Sequence, residues 1–149
     1  MKRTVAFLCA VVMLVTMFAG CTTKKGEIET LFTNYQAACN ALDLNAMMAC
    51  VTPTVTNPLK TAAGIVGKLT ANDTDAMFDK IGALIMNETK VSRKEYFQTL
   101  SFKVGTITIE EDVATVEVIR TYTGNGAEYT EEDTYECVFY ADQWYLKHF

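Results

Sequence analysis

The sequence predicts an α+β fold: N-terminal helices packed on a curved antiparallel sheet of about four strands. Two observations carry this. Apolar residues recur every three to four positions between Glu27 and Ile85 and every second position after about Leu100. Helices followed by strands in chain order give segregated layers rather than a parallel βαβ sheet. The alternation also changes phase at Gly105, which predicts a bulge and the curvature. A chain of 149 residues, 50% of them apolar, is one domain's worth. A net charge of -5 and an isoelectric point near 4.9 exclude the basic face of a nucleic-acid binder.

The first element is an address. Lys2 and Arg3 precede the uncharged run TVAFLCAVVMLVTMF, and the small residues Ala19 and Gly20 follow. This is the three-part pattern of a secretory signal. As a helix, Thr4–Gly20 reaches about 25 Å at 1.5 Å per residue, short of a roughly 30 Å hydrocarbon core. Phe18-Ala19-Gly20-Cys21 resembles a bacterial lipobox, with Phe18 standing where that family has an aliphatic residue. The resemblance implies cleavage between Gly20 and Cys21 and acylation of the Cys21 sulfur. Two acyl chains on one residue anchor stably where one is marginal. The expected organisation is therefore a lipoprotein signal peptide over 1–20, a lipidated tether over 21–26 and an α+β domain over 27–149. Lys24 and Lys25 lie beside the headgroups on this reading. The membrane is the first expected partner, through acylated Cys21, on the extracytoplasmic face of a bacterial membrane.

Ile28, Leu31, Phe32, Tyr35, Ala38, Cys39 and Leu42 form a 3.6-period stripe, predicting a helix over 27–42. Asp43 is a cap for a short second helix carrying Leu44, Met47, Met48 and Val51, which Pro53 ends. Asn57-Pro58 reads as the start of a third helix with Leu59, Ala62, Ala63, Val66 and Leu69. Thr70–Thr74 is a loop, and a fourth helix carries Met77, Phe78, Ile81, Leu84 and Ile85. The stretch from Tyr96 to Ile109 is rich in β-branched and aromatic residues and reads as a bent strand. Glu110-Glu111-Asp112 is a turn. Ala114, Val116 and Val118 mark the buried face of the next strand. Gly124-Asn125-Gly126 is a hairpin tip, Thr134–Tyr140 a strand, Ala141-Asp142-Gln143 a turn and Trp144–Phe149 the last strand.

Of the five cysteines, Cys9 leaves with the signal and Cys21 takes lipid on the lipobox reading. Cys39 and Cys50 either face each other across a helical hairpin as a disulfide or are small buried apolar residues. With a single histidine, His148, and no CxxC pair, the sequence offers no metal site of the usual spacing. It holds no nucleophile–base spacing and no phosphate loop, so no catalytic residue and no cofactor are assigned.

The domain over 27–149 resembles the nuclear-transport-factor-2-like, cystatin-like cone fold found in small bacterial lipoproteins. The resemblance rests on the first helix running into Ala41-Leu42-Asp43 and the second reaching Val51-Thr52-Pro53. It also rests on the strand Asp112–Val118 and the closing Gln143-Trp144-Tyr145-Leu146. Extra helical length between Pro53 and Asn87 departs from the compact members. The resemblance implies a cone between helices and bent sheet whose mouth admits a small apolar ligand, with Tyr35, Phe102, Tyr122, Phe139 and Trp144 as candidate walls. It also implies a homodimer through the sheet face. The expected function is a non-enzymatic small-ligand-binding or protein-interaction domain, without nucleic acid. The alternatives are an enzyme using the cone for proton transfer or hydrolysis, and an accessory subunit of an envelope complex.

Overall fold

Thr23 starts the first helix. Its Oγ1 accepts from the Gly26 N–H at 3.2 Å, and helix α1 runs Lys24–Asn40 with Glu27 in its first turn. The helix thus begins at Lys24 rather than Glu27, because a capping threonine and an acidic first turn lie just upstream of the apolar stripe. The structure is a computed structural model and describes residues 23–58, 61 and 92–148. The signal segment, Gly20 and Cys21 lie outside the described residues. So do most of the third predicted helix, the loop Thr70–Thr74 and the fourth predicted helix.

The predicted stripe is the buried face of α1: Ile28, Leu31, Phe32, Tyr35, Ala38 and Cys39 all face the core. Leu42 takes a left-handed φ of 54° and turns the chain. Asp43 then caps α2, Leu44–Ala49, its Oδ1 accepting from the Ala46 N–H at 3.0 Å.

Pro53 is a correction. The sequence predicts a helix end there and a new helix at Asn57-Pro58; instead, residues 53–58 are already helical. The Thr52 carbonyl accepts from the N–H groups of Val55 and Thr56, both at 3.0 Å, and Pro53 occupies the first turn, where its missing N–H costs nothing. Residues 50–52 run beside the last strand. Val51 bridges Leu146 in parallel, Leu146 N–H donates to the Cys50 carbonyl at 2.8 Å, and Thr52 N–H donates to the Leu146 carbonyl at 3.0 Å.

A second correction concerns Tyr96. It lies on a short helix, α3 (Arg93–Thr99), not on a strand. Tyr96 and Phe97 are buried side by side, and Leu100 buries one turn on. The aromatic content favours strand locally, but the burial pattern is helical.

Four strands follow in one antiparallel meander: β1 (Ser101–Glu110), β2 (Val113–Gly124), β3 (Ala127–Tyr140) and β4 (Gln143–Leu146), in that spatial order. The β1–β2 register shifts between Val104 and Ile107, a bulge at the predicted glycine. A Cβ on Gly105 would stand 3.2 Å from the Glu117 carbonyl oxygen. Asn125 (φ 53°) and Gly126 (φ 77°) form a two-residue primed turn that pairs Gly124 with Ala127. Pairing then continues unbroken, so β3 begins at Ala127 rather than Thr134. The last strand is shorter than predicted and ends at Leu146.

Ala114, Val116, Val118, Cys137, Trp144 and Leu146 form the buried inner face of the sheet, against which α1 packs. Phe32 meets Phe102 edge-on at 5.6 Å and Tyr135 at 5.5 Å between ring centroids, and Tyr35 lies 6.0 Å from Phe102. Burying a side chain such as Phe32 contributes about 2–3 kcal/mol. These rings fill the space between α1 and the sheet.

Candidate functional site

Two polar regions flank that aromatic core. The first is on the inner sheet face near the β2–β3 hairpin. Alternation along β2 carries Arg120 inward with Val116 and Val118. The register places it directly opposite Glu131. Its Nη2 donates to Glu131 Oε2 at 2.6 Å and lies 3.2 Å from Asp133 Oδ2, while Nη1 donates to Tyr135 Oη at 3.5 Å. Tyr122 Oη donates to Glu131 Oε1 at 3.1 Å. The guanidinium carbon stands 6.0 Å from the Tyr96 ring centroid and 5.9 Å from that of Tyr122. Tyr129 stacks on Tyr122 at 5.3 Å. The hydrogen bond from Arg120 holds the Glu131 carboxyl below the usual carboxylate range. Burial pushes the hydroxyls of Tyr96 and Tyr135 up. One cation meets two carboxylates here, so the cluster neutralises itself and offers no free positive charge.

The second region is an open groove of about 610 Å³ between the first turns of α1, helix α2 and the β3–β4 turn. Its apolar side is Leu31, Ala46, Ala49, Cys50 and Trp144; its polar side is Glu27, Thr30, Asn34, Asp142 and Gln143. The groove exists because Ala46 and Ala49 are small and because the β3–β4 turn is tight. Ala141 (φ 49°) and Asp142 (φ 64°) are both left-handed. Trp144 is 4% exposed, and its Nε1 finds no hydrogen-bond partner among the described residues. A buried donor left unpaired costs about 1–3 kcal/mol. Beside it, Phe139 packs on Trp144 at 5.4 Å and carries the Lys24 ammonium 5.8 Å above its ring.

The candidate walls are thus dispersed. Trp144 lines the groove. Tyr35 and Phe102 belong to the core packing, Tyr122 to the arginine cluster, and Phe139 backs Trp144. The Cys39–Cys50 disulfide is corrected: Cys39, Cys50 and Cys137 are all free and buried. Burial pushes the Cys39 and Cys137 thiols up to about 12, so neither is a nucleophile near neutrality. Cys39 shares a hydrogen bond with the Tyr35 hydroxyl. His148 is exposed at the end of the described chain. Among the described residues, no three His, Cys, Asp or Glu side chains are grouped to hold a metal ion, and no helix is long and apolar enough to cross a membrane.

The arginine cluster is not among the candidate residues that the sequence offered. The signal was present: a two-residue tip at Asn125-Gly126 pairs 124 with 127, and counting back along both strands meets Arg120 with Glu131.

No protein-family model matches the chain, and no curated protein matches it. Among solved structures, the chain is similar to an NTF-2-like protein of unknown function from Shewanella oneidensis MR-1. The two are 15% identical; the match covers 84% of this chain and 95% of that one, with a TM-score of 0.54. A SEC-C motif-containing protein from Rhodopseudomonas palustris aligns at 15% identity over 75% of this chain and 68% of its own, with a TM-score of 0.44. Helices followed by a curved four-stranded antiparallel sheet are the nuclear-transport-factor-2-like α+β fold.

Proposed function

We propose that this nuclear-transport-factor-2-like domain is a non-enzymatic small-ligand-binding module, held by acylated Cys21 on the outer side of a bacterial membrane. One observation carries the binding half. The space between α1 and the sheet, where the fold would house chemistry, is occupied by Phe32, Tyr35, Phe102 and Tyr135, while an open groove flanks the same helix. A filled cone leaves proton transfer or hydrolysis no chamber among the described residues. The anchoring half is supported by the lipobox and by the immediate start of α1 at Lys24, two residues after Thr22.

Native mass spectrometry of the detergent-extracted protein tests both halves. The expected species lacks residues 1–20, carries a diacylglyceryl mass and retains a small molecule. Cys21→Ser is expected to move the protein out of the membrane fraction. A variant that stays as firmly membrane-bound as the parent overturns the anchoring.

A second reading, pairing of two copies through the outer sheet face, is favoured by one patch. Val113 (40% exposed) and Tyr140 (62% exposed) lie at the end of the sheet where Val138 pairs with both Val113 and Tyr145. Sedimentation showing only monomer at high concentration removes it.

A further inference from the structure

The two layers of the domain carry charge unequally. After Gly20, residues 21–100 hold eight bases and eight acids, whereas residues 101–149, which form the sheet, hold three bases and ten acids. The whole balance of −7 therefore lies on the sheet. Its exposed acids include Glu117 and Glu132 on the outer face and Glu111 and Asp142 on the turns. The helical layer is the reverse. From Thr30 to Pro58 the only charged residue is Asp43. The exposed side chains of α1 and α2 along that stretch include Thr30, Thr33, Asn34, Ala37, Asn45 and Ala49.

The point of attachment belongs to the uncharged layer. Thr23 caps α1, so on the anchoring reading the lipid on Cys21 lies at most about 11 Å from the helix start. From there α1 runs between the β3–β4 turn and the start of β1. At its first turn the Lys24 ammonium lies 5.8 Å from the Phe139 ring. At its last, Asn40 Nδ2 donates to the Phe97 and Leu100 carbonyls at 3.0 and 2.9 Å. A helix is about 10 Å across. With α1 laid along a bilayer, the sheet stands one such layer higher, beyond the screening length of about 8 Å at physiological ionic strength. With the sheet face down, its acids lie within that length of anionic headgroups and are repelled.

We propose that the exposed face of α1 and α2 lies on an anionic lipid surface, and that repulsion of the acidic sheet turns the domain this way up. The proposal rests on the anchoring of the chain through acylated Cys21 and names the face that this anchor brings to the lipid. Glu27 and Glu29 also lie near the surface in this pose, offset by Lys24 and Lys25. The outer sheet face points away from the bilayer.

The acylated full-length protein is reconstituted in vesicles of phosphatidylcholine and phosphatidylglycerol that contain a lipid with a nitroxide on its headgroup. A fluorophore is attached at Thr33→Cys, in the helical layer, or at Thr115→Cys, on the outer sheet face; both positions are exposed. Cys39, Cys50 and Cys137 are buried, and the parent protein treated alike is the blank. The label at Thr33→Cys is expected to be quenched about two-fold more strongly, because a layer of about 10 Å separates the two faces. In vesicles of phosphatidylcholine alone, or at about 1 M salt where the screening length falls to about 3 Å, the difference is expected to shrink. Glu117→Lys combined with Glu132→Lys is expected to raise quenching at Thr115→Cys. The proposal is overturned if the label at Thr115→Cys is quenched as strongly as that at Thr33→Cys, or if the difference is the same in neutral vesicles and high salt. Two copies pairing through the helical layer hide the Thr33→Cys label from the lipid and give the first of these results. In either case, protein that floats with the vesicles in a density gradient leaves the anchoring reading standing. Protein that does not float fails the anchoring and takes the proposal with it.

Discussion

The two ends of the inner sheet face hold similar side chains in opposite states. Near the β2–β3 hairpin, Arg120, Glu131, Asp133, Tyr122 and Tyr135 bond to one another, and only the Arg120 Nε lacks a partner among the described residues. Near the β3–β4 turn, Glu27, Asn34, Asp142 and Gln143 make no such bonds among the described residues, and the Trp144 N–H has no partner among them. The first end converts its polar groups into structure. The second leaves its exposed side chains to solvent. Register explains the difference. Long antiparallel pairing sets Arg120 and Glu131 directly opposite each other, whereas the groove lies between elements that touch only at their ends.

The comparison can be broken most severely through the packing that separates the two ends. Phe32→Ala removes the ring that touches both Phe102 and Tyr135, and a loss of about 3–5 kcal/mol is expected in urea denaturation. Arg120→Met is the sharper test. It leaves Glu131 and Asp133, neighbours on one face of β3, without the cation they share, and a loss of about 1–2 kcal/mol is expected. Because Glu131 has a folded pKa below its ordinary 4.5, its contribution is present above that value and is lost as pH falls through the lowered one. The acid side of the stability profile should therefore flatten in Arg120→Met, while ligand binding in the groove stays unchanged. The smallest effect is a gain. Ala141 holds a left-handed backbone that asparagine tolerates better, so Ala141→Asn should raise stability by about 1 kcal/mol in thermal melts.

Much of the fold was legible because single signals agreed. The stripe from Ile28 to Cys39, the Asp43 cap, the Gly105 bulge and the Asn125-Gly126 tip each have one physical reading. Reading failed where a residue serves two roles. Pro53 is a residue that can end a helix or open one and here opens the next helical stretch, and Tyr96 has a strand former's side chain in a helix that tertiary burial selects. The groove was less legible still. Trp144 was named as a wall, but Glu27, Asn34 and Asp142 meet only when the start of α1 lies across from the β3–β4 turn. No sequence period encodes that meeting.

One further consequence follows from residues 50–52, which lie along β4 and bond to Leu146 from both sides of its peptide. The outermost strand on that flank is already occupied. Two other stretches of edge have no strand beside them among the described residues: β1, apart from the Phe102 N–H that donates to Gln36, and the part of β3 from Ala127 to Tyr135 that extends past β4. Stacking sheets rim to rim into a growing fibre requires two sticky borders per molecule. The described residues leave one on each flank, β1 and the overhang of β3, so it is only along β4 that strand-to-strand joining is already shut off.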